Sequence, residues 1–173
     1  GADISRVVTE VSGSYLKIHM RSSNGRHWGN ISARVYVTYV SIDKVVASSA
    51  ASVYSEEVIS SQDFYVSASS AASLELKLNV GTLEGSLSSA ADMELEGKAK
   101  RAEFDISSAA KLDAYDLVVE ILSVDASSAG SAKVNVTSEL NAEASSGADI
   151  KYRGSPAKSR TNGSSGGSVK KSY

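Results

Sequence analysis

The sequence contains no cysteine, which excludes disulfides, thiolate zinc sites, iron–sulfur clusters and a cysteine nucleophile. It has one proline and only two histidines, so histidine-based metal or catalytic clusters have little to build on. No apolar run approaches the roughly 18 residues that a membrane-spanning helix needs. The 18 basic residues nearly balance the 20 acidic ones, so no global positive field favours nucleic acid. Composition therefore predicts a chain with no cofactor, membrane span or nucleic-acid partner.

A short motif, Ser-Ser followed by two small residues, recurs along most of the chain. Serine and alanine account for 35 and 22 of the 173 residues, and much of this bias lies in the motif. Its spacing is 18 to 21 residues, and the seven copies begin at Ser48, Ser69, Ser88, Ser107, Ser127, Ser145 and Ser164. A near-constant period of this length is typical of a fold built from stacked repeats.

The segment after each motif alternates apolar and polar residues, as in Leu74, Leu76 and Leu78 against Glu75 and Lys77. Period 2 predicts a strand that buries one face. A repeat of this length is too short for a βαβ unit. The chain can instead bury the apolar face by coiling, so that each repeat stacks on the next. We therefore predict an all-β fold, a single-stranded parallel β-helix of about 19–20 residues per rung.

Two other all-β architectures fit the repeat less well. An antiparallel sandwich gives no reason for the same four residues to return at one period. A β-propeller blade needs about twice this length. Helices are disfavoured by the serine density and by the strict period of two residues.

The alternation continues through the motif and assigns the second serine of each copy to the buried face. Stacked copies lie about 4.8 Å apart, close enough for hydroxyls to bond along the stack. The sequence therefore predicts an inward hydroxyl ladder formed by Ser49, Ser70, Ser89, Ser108, Ser128, Ser146 and Ser165.

The two ends of the chain depart from the repeat. We predict one domain over 1–173 with three parts: an N-terminal cap with the first strands over 1–46, β-helix rungs over 47–154, and a C-terminal rung or cap over 155–173. Within the first part, 6–11 and 15–20 flank a Ser-Gly-Ser turn and predict a β-hairpin, and 34–40 predicts a further strand.

The motif rhythm resembles the bacterial GIN domain, described as a putative autotransporter adhesin head domain of unknown function. The matching stretches are Gly1-Ala2-Asp3-Ile4, Tyr15-Leu16-Lys17-Ile18, Val35-Tyr36-Val37-Thr38-Tyr39, the Ser-Ser/Gly-Ala motifs, and the run from Ser145 to Pro156. This resemblance covers nearly the whole chain. It implies a right-handed parallel β-helix in the cell envelope or secreted proteins of bacteria, particularly Bacteroidetes. No catalytic residues are established for the family, so none are carried over.

Arg26, His27 and Trp28 form the most distinctive cluster of side chains, in a polar loop. The indole offers a flat apolar face for a sugar ring, and the cationic groups could hold an anion. The competing interpretation, which we favour, is a cap that packs over the end of the core.

Glu75, Glu94 and Asp113 fall in one outward column if the repeat sets the register. Stacked carboxylates repel one another and could recruit Ca²⁺. Lys77, Lys98 and Lys111 lie close enough in sequence to neutralise the column. A solvated face of mixed charge is therefore the simpler interpretation, and we predict no metal site.

Charge is divided unevenly along the chain. Residues 151–173 carry six basic and no acidic residues, a charge of +6, which leaves 12 basic against 20 acidic residues, or −8, in 1–150. An acidic body and a basic end could join two copies head to tail, so a homo-oligomer is one expected partner. The alternative is a solubilising C-terminal cap.

The predicted function is a non-catalytic module of the cell envelope or a secreted protein, an adhesin that presents a rigid polar face to a glycan or a surface protein. One alternative is a carbohydrate-active enzyme of β-helix type, a polysaccharide lyase or hydrolase, and another is a purely structural spacer. A cleft of carboxylates with raised pKa values would favour the enzyme, and a flat surface would favour the binding module.

Overall fold

A computed structural model describes residues 6–21 and 33–173, and the chain divides into two compact units, 1–39 and 40–173. The first unit contains the antiparallel hairpin of β1 (Val7–Ser12) and β2 (Tyr15–Met20), which confirms the predicted hairpin. The strand predicted over 34–40 is wrong, because that segment forms no strand. Alternating apolar residues make a strand only where a neighbouring strand pairs with them. Whether the hairpin caps the repeats stays a prediction.

The second unit is a parallel β-solenoid of about seven turns, which confirms the predicted fold class. Its strands are β3 (Lys44–Ala47), β4 (Ser52–Tyr54), β5 (Ile59–Ala68), β6 (Ser73–Leu87), β7 (Asp92–Ile106), β8 (Lys111–Ala126), β9 (Ser131–Ala144), β10 (Asp149–Arg153), β11 (Lys158–Gly163) and β12 (Ser168–Lys171). They form one sheet in the order β12-β10-β9-β8-β7-β6-β5-β3, with β11 beside β9 and β4 beside β6. No helix in 6–21 or 33–173 could cross a bilayer.

The length of a rung equals the period of the motif. Ser73 pairs with Asp92, and Asp92 pairs with Lys111, so neighbouring strands are offset by one repeat. Within a rung the pairing skips one residue, such as Gly81 in β6. We call the residues between a motif and this break the first wall, and those between the break and the next motif the second wall.

The core is a single cluster of inward side chains from both walls. All buried residues in the described part of the chain are apolar or glycine, so no buried polar group needs a partner there. Large and small residues interlock between rungs. Phe104 lies over Gly85, where an added Cβ would be 2.3 Å from the Cδ1 atom of the ring. This size matching fixes which rung packs on which.

The predicted inward ladder of serine hydroxyls is wrong. The second serine of every motif is exposed and left-handed, with φ between 48° and 57°, at Ser49, Ser70, Ser89, Ser108, Ser128, Ser146 and Ser165. The third motif residue is left-handed too, and the fourth donates its N–H to the first residue's carbonyl, as from Ala110 to Ser107 (3.1 Å). Positive φ at both central positions is the pattern of a type I′ turn.

A ladder does exist at these corners, but the backbone forms it. In every turn but the last, the third residue donates its N–H to the carbonyl of the second serine one rung on, as from Ala90 to Ser108 and from Ala109 to Ser128, both 3.0 Å. Because the turn contains two residues, the alternation of inward and outward positions continues unchanged on both sides of it. The alternation in the sequence therefore gives no sign of the turn. The residues that close the core at the corner are instead the fourth ones, including Ala91 and Ala110, which are fully buried.

Candidate functional site

A shallow groove follows the corner where the second wall enters the motif turns. Its outward column on successive rungs is Ser86, Asp105, Asp125 and Glu143, which the pairing of β6 to β9 brings into register. The first motif serine lies two residues after each of them and completes the lining, at Ser88, Ser107, Ser127 and Ser145. The repeat therefore places a carboxylate and a hydroxyl together on each of three consecutive rungs. Neighbouring rungs are about 4.8 Å apart.

Burial and neighbouring carboxylates raise the cost of ionising Asp125 in the groove. Partial burial raises the pKa of Asp125, and the negative charges of Glu143, Asp105 and Glu103 add to the increase. Within 6–21 and 33–173, no lysine or arginine forms an ion pair with the three groove carboxylates. The groove is therefore a site of concentrated negative charge.

This arrangement suits a neutral or cationic ligand that carries hydroxyl or ammonium groups at regular intervals. Carboxylate oxygens accept hydrogen bonds, and serine hydroxyls both donate and accept them. An anionic ligand would be repelled by the same three carboxylates. Shallow, open geometry gives many weak contacts along a line rather than one enclosed pocket.

A second irregular surface lies on the first wall, where β8 bulges. The register of β8 shifts against both neighbours, and three residues of β8, 115–117, have no counterpart in β9. Bulges re-aim side chains, and here the bulge carries Tyr115 across β9. The ring of Tyr115 lies 3.9 Å beneath the guanidinium carbon of Arg153 on β10 and 5.7 Å from Lys133 Nζ.

Hydrogen bonds hold this bulge in place. Asn135 donates from Nδ2 to the carbonyl of Tyr115 at 3.1 Å, and Lys133 donates to Asp113 Oδ2 at 2.8 Å. The hydrogen bond to Asp113 raises the pKa of Lys133, and the charge of the same carboxylate adds to the increase. Arg153 is exposed and lies over the ring of Tyr115, which restricts the orientation of its guanidinium group.

The residues singled out from the sequence have different outcomes. Glu75, Glu94 and Asp113 do lie in one column of the first wall, because Glu75 pairs with Glu94 and Glu94 with Asp113. Asp113 is paired with Lys133, and in the described ranges no three acidic or histidine side chains are close enough to hold a metal ion. Arg26, His27 and Trp28 lie outside the described residues.

The groove was not predicted from the sequence, although the sequence contains a signal for it. An acidic residue stands two positions before the first motif serine in three copies, at Asp105, Asp125 and Glu143.

A comparison with protein families matches residues 1–156 to the family described as "Putative auto-transporter adhesin, head GIN domain". No curated protein matches the chain.

Solved structures resemble the chain closely in fold. A putative adhesin from Bacteroides fragilis superposes with a TM-score of 0.85 at 16% identity, covering 98% of this chain and 78% of that one. A putative adhesin from Parabacteroides merdae has a TM-score of 0.69 at 18% identity, with 98% and 79% covered. A putative lipid binding protein from Parabacteroides distasonis has a TM-score of 0.73 at 21% identity, with 98% and 80% covered. At these identities the likeness establishes the fold.

Proposed function

Because the chain belongs to the family described as "Putative auto-transporter adhesin, head GIN domain", we propose that it is a non-catalytic adhesin module of the bacterial surface that binds a glycan along the corner groove. The observation that carries this proposal is the repetition of a carboxylate and a serine on three consecutive rungs, Asp105 with Ser107, Asp125 with Ser127, and Glu143 with Ser145.

The charge of the groove narrows the glycan class. The three groove carboxylates favour neutral sugars or amino sugars and disfavour uronic acids and sulfated sugars. A rigid repeat suits a polymer, since each rung offers the same pair of groups to successive units. Individual contacts are weak, and affinity comes from their number and from display of many copies.

The experiment is a glycan array that carries neutral, amino and acidic glycans, probed with the purified chain and with D105N/D125N/E143Q. We expect wild type to bind neutral or amino glycans and the triple variant to bind about tenfold or more weakly, because each carboxylate lost removes a charge-assisted hydrogen bond. The matched control is E56Q/E57Q/E120Q, which removes three exposed carboxylates away from the groove and should bind like wild type.

Two results would contradict the proposal. Equal loss in the control and groove variants would show that net charge, rather than the groove, governs binding. Absence of binding to every neutral and amino glycan would favour a protein partner or a structural spacer.

The raised pKa of Asp125 favours a second candidate, a glycan hydrolase in which this carboxyl group acts as general acid. The test is to incubate any bound glycan with the chain and with D125N, and to measure the release of reducing ends. Turnover by wild type that D125N abolishes would replace the adhesin proposal with the enzyme.

A further inference from the structure

One outward column of the first wall begins with Tyr54 of β4, which pairs with Glu75, and its next six residues are divided by charge into two equal halves. The pairing of β6 to β7, β8, β9, β10 and β12 places six residues in line, one per rung: Glu75, Glu94, Asp113, Lys133, Lys151 and Lys170. Three acidic residues are followed by three lysines, and all but the half-buried Asp113 are exposed. Within the chain, salt bridges join Lys133 to Asp113 at the boundary and Lys151 to Asp149 beside the column.

This order is self-complementary under a two-fold rotation. Consider an axis parallel to the strands, lying above the wall midway between β8 and β9. It places a second copy face to face with the first and reverses the order of its rungs. Glu75 then faces Lys170, Glu94 faces Lys151, and Asp113 faces Lys133. Because every rung is separated by the same distance of about 4.8 Å, the three pairs come into register together.

We propose that the first wall is a two-fold interface with a second copy of this chain. In such an interface residue i of one copy contacts residue j of the other and the reverse also holds, so each of the three pairs occurs twice. This geometry is face to face, with the order of rungs reversed in the second copy, unlike the head-to-tail contact that the charge of the chain ends predicts. It is independent of glycan binding, which uses the second wall.

The flanking columns do not add matched pairs to this axis. Beyond the bulge of β8, Lys98 pairs with Val118, Val118 with Asn135 and Asn135 with Arg153, so Arg153 falls opposite Lys98, which is an unfavourable contact. On the other side Asp92 meets Asp149, which is an unfavourable contact. Asp149 is already held by Ser168 Oγ at 2.5 Å and by Lys151 Nζ at 3.5 Å, which reduces that repulsion.

A second copy fits this face better than a polyanion does. A polyanion attracted to Lys151 and Lys170 would be repelled by Glu75 and Glu94 in the same column. Only a partner with the opposite order of charges satisfies both halves, and the chain itself is such a partner.

The contact is small and polar. Six rungs about 4.8 Å apart and five residues of about 3.3 Å give a footprint of about 450 Å² per copy. Interfaces of this size are weak and transient, and exposed ion pairs weaken further as salt screens them. We therefore expect a dimer that forms at high local concentration, as on a crowded surface, and dissociates at high salt.

The test is sedimentation velocity on the full 173-residue chain at about 10 mM and about 500 mM salt. Wild type should self-associate at low salt and dissociate at high salt. E94K and K151E should each self-associate about tenfold or more weakly, because each places like charges opposite one another twice. An equimolar mixture of E94K and K151E should form a heterodimer, since the lysine introduced in one chain then faces the glutamate introduced in the other. The double variant E94K/K151E should recover the homodimer.

Controls separate this effect from net charge and from folding. K158E changes charge equally on the second wall and should associate like wild type, while circular dichroism confirms that every variant is folded. The proposal is overturned if wild type stays monomeric at low salt, if the single variants associate like wild type, or if their mixture stays monomeric. Binding of poly-L-glutamate through Lys151 without self-association would also overturn it.

Discussion

At the scale of single residues, the corners of the solenoid depend on backbone conformations that most side chains avoid. Ser108 and Ala109 both have positive φ, 53° and 60°, and the same pair recurs at every corner. A left-handed non-glycine residue costs about 1–2 kcal/mol. Hydrogen bonds between neighbouring turns offset this cost, as from the Ala109 N–H to the Ser128 carbonyl. Small residues dominate the motif because they tolerate this conformation.

Replacing two glycines by alanine distinguishes the cost of a close backbone contact from the cost of a left-handed backbone conformation. Gly97 has a φ of 114°, and a Cβ there would lie 2.0 Å from the Leu78 carbonyl oxygen, which is backbone and cannot move aside. We expect G97A to lower the free energy of unfolding by about 2–4 kcal/mol. The measurement is urea denaturation. The control is G147A, whose Cβ meets nothing within 4 Å but which places an alanine at a φ of 76°, as at Ala109 and Ala129. It should lower the free energy of unfolding by the conformational cost alone, about 1–2 kcal/mol.

Asp125 makes stability depend on pH. Its folded-state pKa is raised above the usual 3.8, so the folded chain holds this proton more tightly than the unfolded chain does. The stability that protonation contributes is complete below the unfolded pKa and is lost as pH rises through the folded pKa. D125N should therefore raise the Tm at pH 7 and leave it unchanged at pH 3, measured by thermal unfolding. An increase in Tm at pH 3 as large as that at pH 7 would refute the electrostatic origin. The control is E56Q, which neutralises an exposed carboxylate away from the groove.

At the scale of elements, β8 differs from its neighbours because it contains extra residues. The pairing with β9 moves from Ala114↔Val134 to Val118↔Asn135, so residues 115–117 leave the ladder with β9, although Asp116 and Leu117 still pair with β7. The ring of Tyr115 then spans β9 to reach Arg153. The extra residues of β8 thus connect the rungs of β8, β9 and β10 through side chains. A regular ladder would connect these rungs only through its backbone.

The stacking of Tyr115 on Arg153 should be measurable as a coupling energy. Cation–π pairs at exposed sites contribute about 0.5–1 kcal/mol. We expect Y115A and R153A to be less destabilising together than the sum of the single changes, by about that amount. Chemical denaturation of the four chains in this double-mutant cycle gives the coupling. A coupling near zero would mean that the ring and the guanidinium are neighbours without mutual stabilisation. Y115F keeps the aromatic ring and should preserve the coupling.

At the scale of the whole solenoid, each rung is stabilised by the rungs beside it. The pairing ladders between β6, β7, β8 and β9 run along almost the whole of each strand, while β3 and β12 are short and pair on one side only. In a linear array of this kind stability is close to a sum of nearest-neighbour terms, so the end rungs open first.

Hydrogen exchange followed by mass spectrometry should show this gradient. We expect amides of β7 and β8 to exchange most slowly and those of β3 and β12 most rapidly, because opening an end strand breaks one ladder instead of two. G97A provides the comparison, since a change in β7 should speed exchange there more than at β12. Equal protection in all strands would instead indicate that the solenoid opens only as a unit.

Much of this fold follows from pattern alone. The motif spacing predicts the rung length, and the alternation predicts the inward apolar residues such as Leu112 and Ile150, which are buried. The column of Glu75, Glu94 and Asp113 follows from the same arithmetic. The predicted serine ladder was wrong because alternation in the sequence indicates only which face a residue would occupy if it lay in a strand. The backbone φ decides whether the residue lies in a strand at all.

The sequence by itself determined that the chain coils into stacked strands, because period 2 and a 19-residue repeat are both written in the order of residues. Only the tertiary structure decided where groups from different rungs meet. Residues from different repeats form the acidic groove at Asp125, the stacking of Tyr115 beneath Arg153 and the charge order of the first wall. They range from 18 positions apart, for Asp125 and Glu143, to 95 positions apart, for Glu75 and Lys170. Their register depends on bulges and turns, and these arise from packing between rungs, which no single repeat contains.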